Sequence, residues 1–215
     1  MELKFRDPLS GLTHFLGALL AVAGLVLLLN HRHGHLTVYH TVSVITFGAA
    51  MILLYTFSTL YHWLPLQGRK LEVFRKIDHI MIFVFIAASY TPICLITLKP
   101  SFWGMPVFYI VWSVTLAGFF MKLFWLQAPR ILYTLIYILM GWIIVICIVP
   151  LVRLMPAGAL YMLGLGGVFY TTGAVMYAIK KPNPWPGTFG FHEIFHIFIM
   201  LGTLSHYLMV YYFII

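Results

Sequence analysis

Long apolar stretches alternate with short polar breaks along most of this chain. Seven stretches are long enough to cross a bilayer as helices, since a spanning helix needs about 20 mainly apolar residues. They cover approximately residues 12–30, 39–62, 77–97, 104–124, 131–150, 157–179 and 192–213. Each stretch is apolar on every side and lacks the alternation typical of barrel strands. The pattern predicts an all-α membrane protein, a bundle of seven transmembrane helices that forms a single domain over residues 1–215.

The composition agrees with a chain whose solvent is lipid. Hydrophobic residues make up 62% of the 215 positions and charged residues 8%, which is far from the composition of soluble domains. The net charge of +8 could in principle serve a nucleic-acid partner. However, Lys and Arg lie in short runs between the apolar stretches, without interleaved aromatic residues. We therefore expect no nucleic-acid partner and interpret these runs as basic loops at an anionic membrane face.

Lys and Arg are distributed unequally between the two sides of the predicted bundle. The side that carries the N-terminus holds ten of them, whereas the opposite side holds only Arg32, Lys99 and Arg153. By the positive-inside rule, the N-terminus is predicted to be cytoplasmic. Because the number of spans is odd, the C-terminus is predicted to lie outside.

Three local features add detail to the bundle. Ser10 is the predicted N-cap of the first helix. Pro92 lies inside the third stretch and is expected to kink it. Cys94 and Cys147 fall in separate apolar stretches with no CxxC spacing, so we expect packing residues and no disulfide framework.

Polar residues from three different stretches are predicted to share one membrane depth. His62 ends the second stretch, Asp78 begins the third, and His192 and His196 begin the seventh, all on the predicted cytoplasmic side. A spacing of four places His192 and His196 on one face of a helix, as does the spacing of Ser58 and His62. Three histidines together with a water held by a carboxylate make an open zinc site. The sequence therefore predicts His62, His192 and His196 as metal ligands, with Asp78 and Ser58 as candidate catalytic residues.

The other histidines favour simpler interpretations. His206, deeper in the seventh stretch, is predicted to make a helix–helix hydrogen bond. His14 is either a residue that supports the site or an interfacial one. His31, His33 and His35 form a predicted solvated loop on the outer side.

Residues 192–196 also match the H-E-x-x-H pattern of zinc metalloproteases, in which the glutamate is the general base. An intramembrane protease would need a third ligand, which His62 could supply, and a cavity that admits an unwound peptide. The pattern alone leaves open whether Asp78 or Glu193 is the base.

Taken together, the motifs resemble a known family. They are Ser58-x3-His62, Asp78-His79, the segment 88–92 (Ala-Ser-Tyr-Thr-Pro) and the segment 189–196. This set is similar to that of the bacterial hemolysin III proteins, which belong to the progestin and adipoQ receptor family. The resemblance runs from Thr13 to the end of the seventh stretch. It implies seven spans in the cell membrane, a cytoplasmic N-terminus, and zinc held by the three histidines with Asp78 and Ser58 nearby.

The wider superfamily includes alkaline ceramidases, so the resemblance implies a zinc-dependent hydrolase of a membrane lipid amide or ester. Asp78, or alternatively Glu193, would take the proton, and the lipid would arrive laterally from the inner leaflet. One alternative is a non-enzymatic membrane sensor or regulator with structural zinc. Another is cytolysis, which the family name suggests, although the residues show neither rings of charge nor a detachable amphipathic segment. A transporter is disfavoured by the scarcity of charge inside the spans. The oligomeric state is left open.

Overall fold

The computed structural model describes residues 5–31 and 37–215. Within these ranges the chain holds seven helices that are long and apolar enough to cross a membrane, which confirms the predicted all-α bundle. The chain is therefore a multi-pass membrane protein. Arg32, His33 and His35 of the predicted outer loop lie outside the described residues.

The spans begin and end close to the predicted limits, with one large exception. The helices are α1 (Pro8–Asn30), α2 (Val38–Trp63), α3 (Gly68–Pro92), α4 (Gly104–Phe124), α5 (Arg130–Trp142), α6 (Ile148–Leu154), α7 (Ala157–Ile179) and α8 (Phe191–Met209). π-Helical turns extend α3 over Ile93–Thr97 and α8 over Val210–Ile214. The fifth span consists of α5, a 3-10 turn at Ile143–Cys147 and α6.

The exception is α3, which begins at Gly68 instead of near residue 77. Its first turns carry Arg69, Lys70, Arg75 and Lys76. A hydropathy pattern marks the lipid-facing part of a helix, whereas the helix itself continues wherever its charged residues reach water. Asp78 therefore lies about 15 Å along the helix from Gly68, given a rise of 1.5 Å per residue.

The predicted N-cap at Ser10 is wrong. Helix α1 begins at Pro8, and Asp7 occupies the N-cap position. Proline is favoured in the first turn of a helix because its missing N–H would have no helical partner there. Ser10 instead lies in the first turn with its side chain buried against α8.

The segment around Pro92 shows how two adjacent spans fit together. Regular α-helix ends at Pro92, and the expected distortion takes the form of the π-helical turn that follows. The Tyr90 hydroxyl lies 2.9 Å from the Met140 carbonyl oxygen and 2.6 Å from that of Gly141, and it accepts the Ile144 N–H at 3.1 Å. One side chain thus satisfies backbone groups where α5 gives way to a 3-10 turn, as a helix break inside a membrane requires.

The bundle closes because α8 packs between α7 and α1. Most of the other consecutive spans lie side by side. The third span is the most buried, since 61% of the residues in an 18-residue apolar segment of it lie inside the protein, against 22% and 17% for the fifth and sixth spans. Small residues allow close approach: a Cβ at Gly118 would lie 2.6 Å from the Phe83 ring, and one at Gly202 equally close to Tyr170. Cys94 and Cys147 are free and buried, as expected.

Candidate metal centre

Three histidines meet at the end of the bundle where α2 ends and α8 begins. His62, His192 and His196 each offer a ring nitrogen, and these three atoms lie within 4.8 Å of one another. The Nε2 atoms of His62 and His192 are 3.2 Å apart. Among the described residues, this is the one group of three or more histidine, cysteine or acidic side chains with such spacing. The structure therefore brings together all three predicted ligands.

A backbone carbonyl fixes the tautomer of His196. Its Nδ1 lies 3.1 Å from the carbonyl oxygen of Ser10 and 3.2 Å from the Thr13 hydroxyl. A carbonyl oxygen only accepts hydrogen bonds, so Nδ1 carries the proton and donates it. Nε2 of the buried ring consequently keeps a lone pair, the form in which a neutral imidazole binds a metal.

A carboxylate does the same for His62. Its Nδ1 donates to Oδ2 of Asp7 at 3.0 Å, and the Asp7 N–H donates to the His62 carbonyl oxygen at 2.9 Å. Arg6 Nε donates to the same Oδ2 at 3.0 Å. The hydrogen bond from His62, together with Arg6, lowers the pKa of Asp7 from 3.8 to about 2 although partial burial opposes the shift. Asp7 is thus an ionised acceptor at neutral pH, and Nε2 of His62 is left free to face His192.

Asp78 and Ser58 lie beside this cluster on α3 and α2. Both are buried, and both line the same cavity as His192 and His196. Asp78 is not one of the three residues whose ligand atoms converge. The Asp78 carboxylate is therefore not a fourth member of the group of possible metal ligands.

Glu193 is engaged elsewhere. Its carboxylate accepts hydrogen bonds from the Ser10 hydroxyl and, at 2.8 Å, from the Gly190 N–H. Glu193 thereby caps the start of α8 and ties it to α1. An acidic side chain in the first turn is also favourable because the helix dipole is positive there.

The cluster lies at one end of a cavity of about 310 Å³. Asp78, Ser58, His192 and His196 line this cavity, as does His14, and the remaining wall is mainly apolar. The cavity continues along the bundle to a far end that includes Tyr90 and His206. It is an amphiphilic chamber, polar at the histidines and apolar over most of its length.

Part of the cavity wall is also the outer surface of the protein. Trp142, Val145 and Ile148 of the fifth span line the cavity, and 44%, 47% and 46% of these side chains are exposed. Such residues face lipid in a membrane-spanning bundle. These residues therefore border both the cavity and the bilayer.

The donor set fits a divalent metal. Three imidazoles that converge, two of them with their second ring N–H donated to a carboxylate or a carbonyl, form the arrangement that zinc sites use. Imidazole nitrogen also suits copper, iron and nickel, so the residues define a metal class and not one element.

Sequence reasoning missed part of the support of this cluster. Asp7 and Ser10 precede and open the first helix, and nothing in their spacing points to histidines 55 and 186 residues away. His14, whose role was left open, stacks on His196 with ring centroids 3.6 Å apart and planes inclined by 8°. The helix–helix role predicted for His206 is confirmed by the approach of its Nε2 to the Leu163 carbonyl oxygen, at 3.3 Å.

Seven spans and a cluster of three histidines at the end of an amphiphilic cavity define a class of polytopic membrane proteins with an intramembrane polar site. A family model described as "Haemolysin-III related" matches residues 4–207. The chain belongs to this family, which confirms the resemblance noted from its motifs.

Individual relatives agree with that assignment. The chain is 34% identical to "Hemolysin-3 homolog" of Bacillus subtilis (strain 168) over 196 residues, which cover 91% of this chain and 88% of that protein. It is 34% identical to "Hemolysin-3" of Bacillus cereus over 195 residues, covering 90% and 85%. A more distant relative is the human "Monocyte to macrophage differentiation factor", 25% identical over 166 residues, covering 75% and 66%.

Proposed function

We propose that this chain is a zinc-dependent hydrolase of membrane lipid amides or esters. The observation that carries the proposal is the convergence of three histidine nitrogens at the polar end of a largely apolar cavity. An apolar chamber suits an acyl chain, and a metal centre at its end suits the carbonyl group of a lipid amide or ester.

His62, His192 and His196 would hold the ion. A zinc ion bound there would polarise a carbonyl group and lower the pKa of a water molecule. Asp78 is the proton acceptor in this proposal because it is buried beside the cluster and lines the cavity. Ser58 lines the same cavity, where its hydroxyl can hydrogen-bond the substrate.

The assignment of Asp78 over Glu193 rests on hydrogen bonds. Both oxygens of Glu193 accept hydrogen bonds, one from the Ser10 hydroxyl and one from the Gly190 N–H. A carboxylate held in this way caps a helix and has no free role as a base. The same contacts weigh against the protease interpretation of the H-E-x-x-H pattern, which needs its glutamate at the metal.

The competing proposal is a membrane regulator with structural zinc. Structural zinc prefers a closed shell of four protein ligands. Among the described residues the convergent group has three members, and Asp78 is not one of them. This count supports an open site and hence the hydrolase.

The orientation of the bundle is also a proposal. The end that carries the histidine cluster is called the basic end, because Arg6, Arg75, Lys76, Lys122 and Arg130 lie there. By the positive-inside rule this end faces the cytoplasm. Labelling of single cysteines placed at Phe5 and Ile215, in intact cells and in lysed cells, tests the assignment.

The experiment begins with metal content. Protein purified without a His-tag is analysed by elemental mass spectrometry as wild type, His62→Ala, His192→Ala and His206→Ala. We expect close to one zinc per chain in wild type and His206→Ala and almost none in the other two. Folded wild-type protein without metal would contradict the proposal.

Turnover is then separated from binding with Asp78→Asn. This variant is expected to keep zinc and to lose hydrolysis of a fluorogenic lipid amide or ester that wild type cleaves. If wild type binds zinc and cleaves none of a panel of such lipids, the regulatory proposal takes precedence.

A further inference from the structure

A second polar feature lies at the basic end and includes none of the three proposed metal ligands. Lys122 of α4 is fully buried, and its ammonium group has no hydrogen-bond acceptor among the described residues. The ammonium group lies over the face of the Tyr133 ring, 3.4 Å from nitrogen to ring centroid. A buried charge inside a membrane protein is costly and usually has a partner of opposite sign.

More cationic and donor groups surround the same tyrosine. The His79 ring lies 5.3 Å from the Tyr133 ring between centroids, and Nδ1 of His79 is buried without a hydrogen-bond partner among the described residues. The Tyr133 and Tyr177 hydroxyls are 3.1 Å apart, and the Arg130 guanidinium stacks over the Tyr177 ring at 4.6 Å. Tyr133 is therefore the centre of a group of donors contributed by α3, α4, α5 and α7.

The start of α3 completes this group. Lys76 Nζ donates to the Leu123 carbonyl oxygen at 2.8 Å, which places it next to Lys122. Arg75 lies one turn before His79 on the same face of α3, and its Nε is buried without a hydrogen-bond partner among the described residues. The basic cluster is defined as Arg75, Lys76, His79, Lys122 and Arg130.

No residue of the basic cluster forms an ion pair with a carboxylate within the part of the chain that the structure describes. The ion pairs among the described residues are Arg6–Asp7 and His62–Asp7. Surface cations at a membrane face need no protein partner because they reach lipid phosphates and water. Lys122 differs, since it lies between helices and is shielded from solvent.

We propose that the basic cluster binds the phosphate of an anionic phospholipid headgroup in the leaflet that faces the basic end. Arg75, Lys76 and Arg130 are half-buried at the surface and would contact the headgroup first, with Lys122 beneath them. Basic pockets between helix ends are a recurrent way of binding anionic headgroups. The proposal is independent of the zinc hydrolase, because no residue of the basic cluster is a predicted metal ligand.

The test measures thermal unfolding in neutral detergent with added phosphatidylglycerol, phosphatidylcholine of the same acyl chains, or inorganic phosphate. Lys122→Met and Arg75→Gln are compared with wild type. Lys99→Met is the matched control, since Lys99 also covers a tyrosine ring, that of Tyr39 at 4.1 Å, but lies in the loop between α3 and α4.

Phosphatidylglycerol is expected to raise the midpoint of wild type and of Lys99→Met by about 2–4 °C or more over phosphatidylcholine. Lys122→Met and Arg75→Gln should lose most of that gain. Should Lys122→Met fail to fold, the loss or retention of the phosphatidylglycerol gain in Arg75→Gln, a substitution at the surface, still tests the proposal.

Native mass spectrometry gives a second readout, as wild type and Lys99→Met should retain phosphatidylglycerol that the two cluster variants release. Equal stabilisation by both lipids, or an undiminished gain in both cluster variants, would overturn the proposal. An equal gain from inorganic phosphate would assign the cluster to a free anion and overturn the lipid assignment.

Discussion

Helix α8 carries histidines at two depths, and their surroundings differ. His192 and His196 lie one turn apart and meet a third histidine from α2. His206 lies ten residues beyond His196, about 15 Å further along the helix, where its Nε2 approaches a backbone carbonyl of α7. An imidazole inside a membrane is thus a candidate ligand where other imidazoles converge on it, and a helix–helix contact where a carbonyl is nearest.

The first helix creates this difference. At the basic end, the Asp7 carboxylate and the Ser10 carbonyl each accept a hydrogen bond from the Nδ1–H of one histidine. Both rings are thereby held with the second nitrogen free. No comparable pair of acceptors from α1 reaches His206 among the described contacts, and α7 supplies its acceptor instead.

The largest expected effect separates the two depths directly. His196→Ala removes one of the three proposed ligands and should reduce metal affinity by about 100-fold or more, whereas His206→Ala should keep it. Elemental analysis of both purified variants measures the contrast. Loss of metal in both folded variants would show that the two depths form one functional unit and would remove the distinction drawn above.

Removing the metal provides a companion test. A ligand that binds only the folded state stabilises it by mass action. A strong chelator should therefore lower the unfolding midpoint of wild type and of His206→Ala, and should leave that of His196→Ala unchanged. An equal decrease in all three proteins would point to an effect of the chelator that does not involve the cluster.

The next effect in size concerns Asp7. Replacement of a carboxylate that supports a ligating histidine costs about 10–100-fold in metal affinity. Asp7→Ala should show a loss of this size in a competition titration with a zinc indicator. Glu72→Ala is the control, because Glu72 is an exposed acid near the same end without an ion pair among the described residues. Equal affinity of the two variants would show that Asp7 does not orient His62.

Gly166 sharpens the comparison at the deeper histidine. A Cβ at Gly166 would overlap the His206 ring, whereas a Cβ at Gly164 meets nothing within 4 Å. Gly166→Ala should destabilise the protein by about 1–3 kcal/mol, the usual cost of overpacking, and Gly164→Ala by less than about 0.5 kcal/mol. Thermal unfolding compares the two variants, and bound metal should stay constant in both. Loss of metal in Gly166→Ala would mean that His206 supports the cluster.

The sequence predicted the seven spans well because lipid leaves few alternatives to long apolar helices. The same signal could not locate the start of α3, since Gly68 to Lys76 is helical without being apolar. The convergence of His62, His192 and His196 was predictable from shared depth and a spacing of four. Asp7 and Ser10 were not, because a hydrogen bond across 55 or 186 residues leaves no local pattern.

The smallest expected effect concerns a polar residue whose role is structural. The Tyr90 hydroxyl contacts two carbonyl oxygens and one N–H where the fifth span leaves regular helix. Tyr90→Phe leaves these groups without that partner and should cost about 1 kcal/mol, because a buried group that loses its partner keeps its desolvation penalty. Tyr109→Phe on α4 is the control, since 60% of that side chain is exposed.

Thermal unfolding and metal content of Tyr90→Phe complete the comparison. For Tyr90→Phe we expect a lower unfolding midpoint and unchanged metal content. For Asp7→Ala, by contrast, the main expected effect is a loss of metal affinity. A midpoint equal to that of Tyr109→Phe would show that the break in the fifth span is stabilised by packing and not by the hydroxyl. A loss of metal would instead connect the helix break to the histidine cluster through the shared cavity, which both Tyr90 and His192 line.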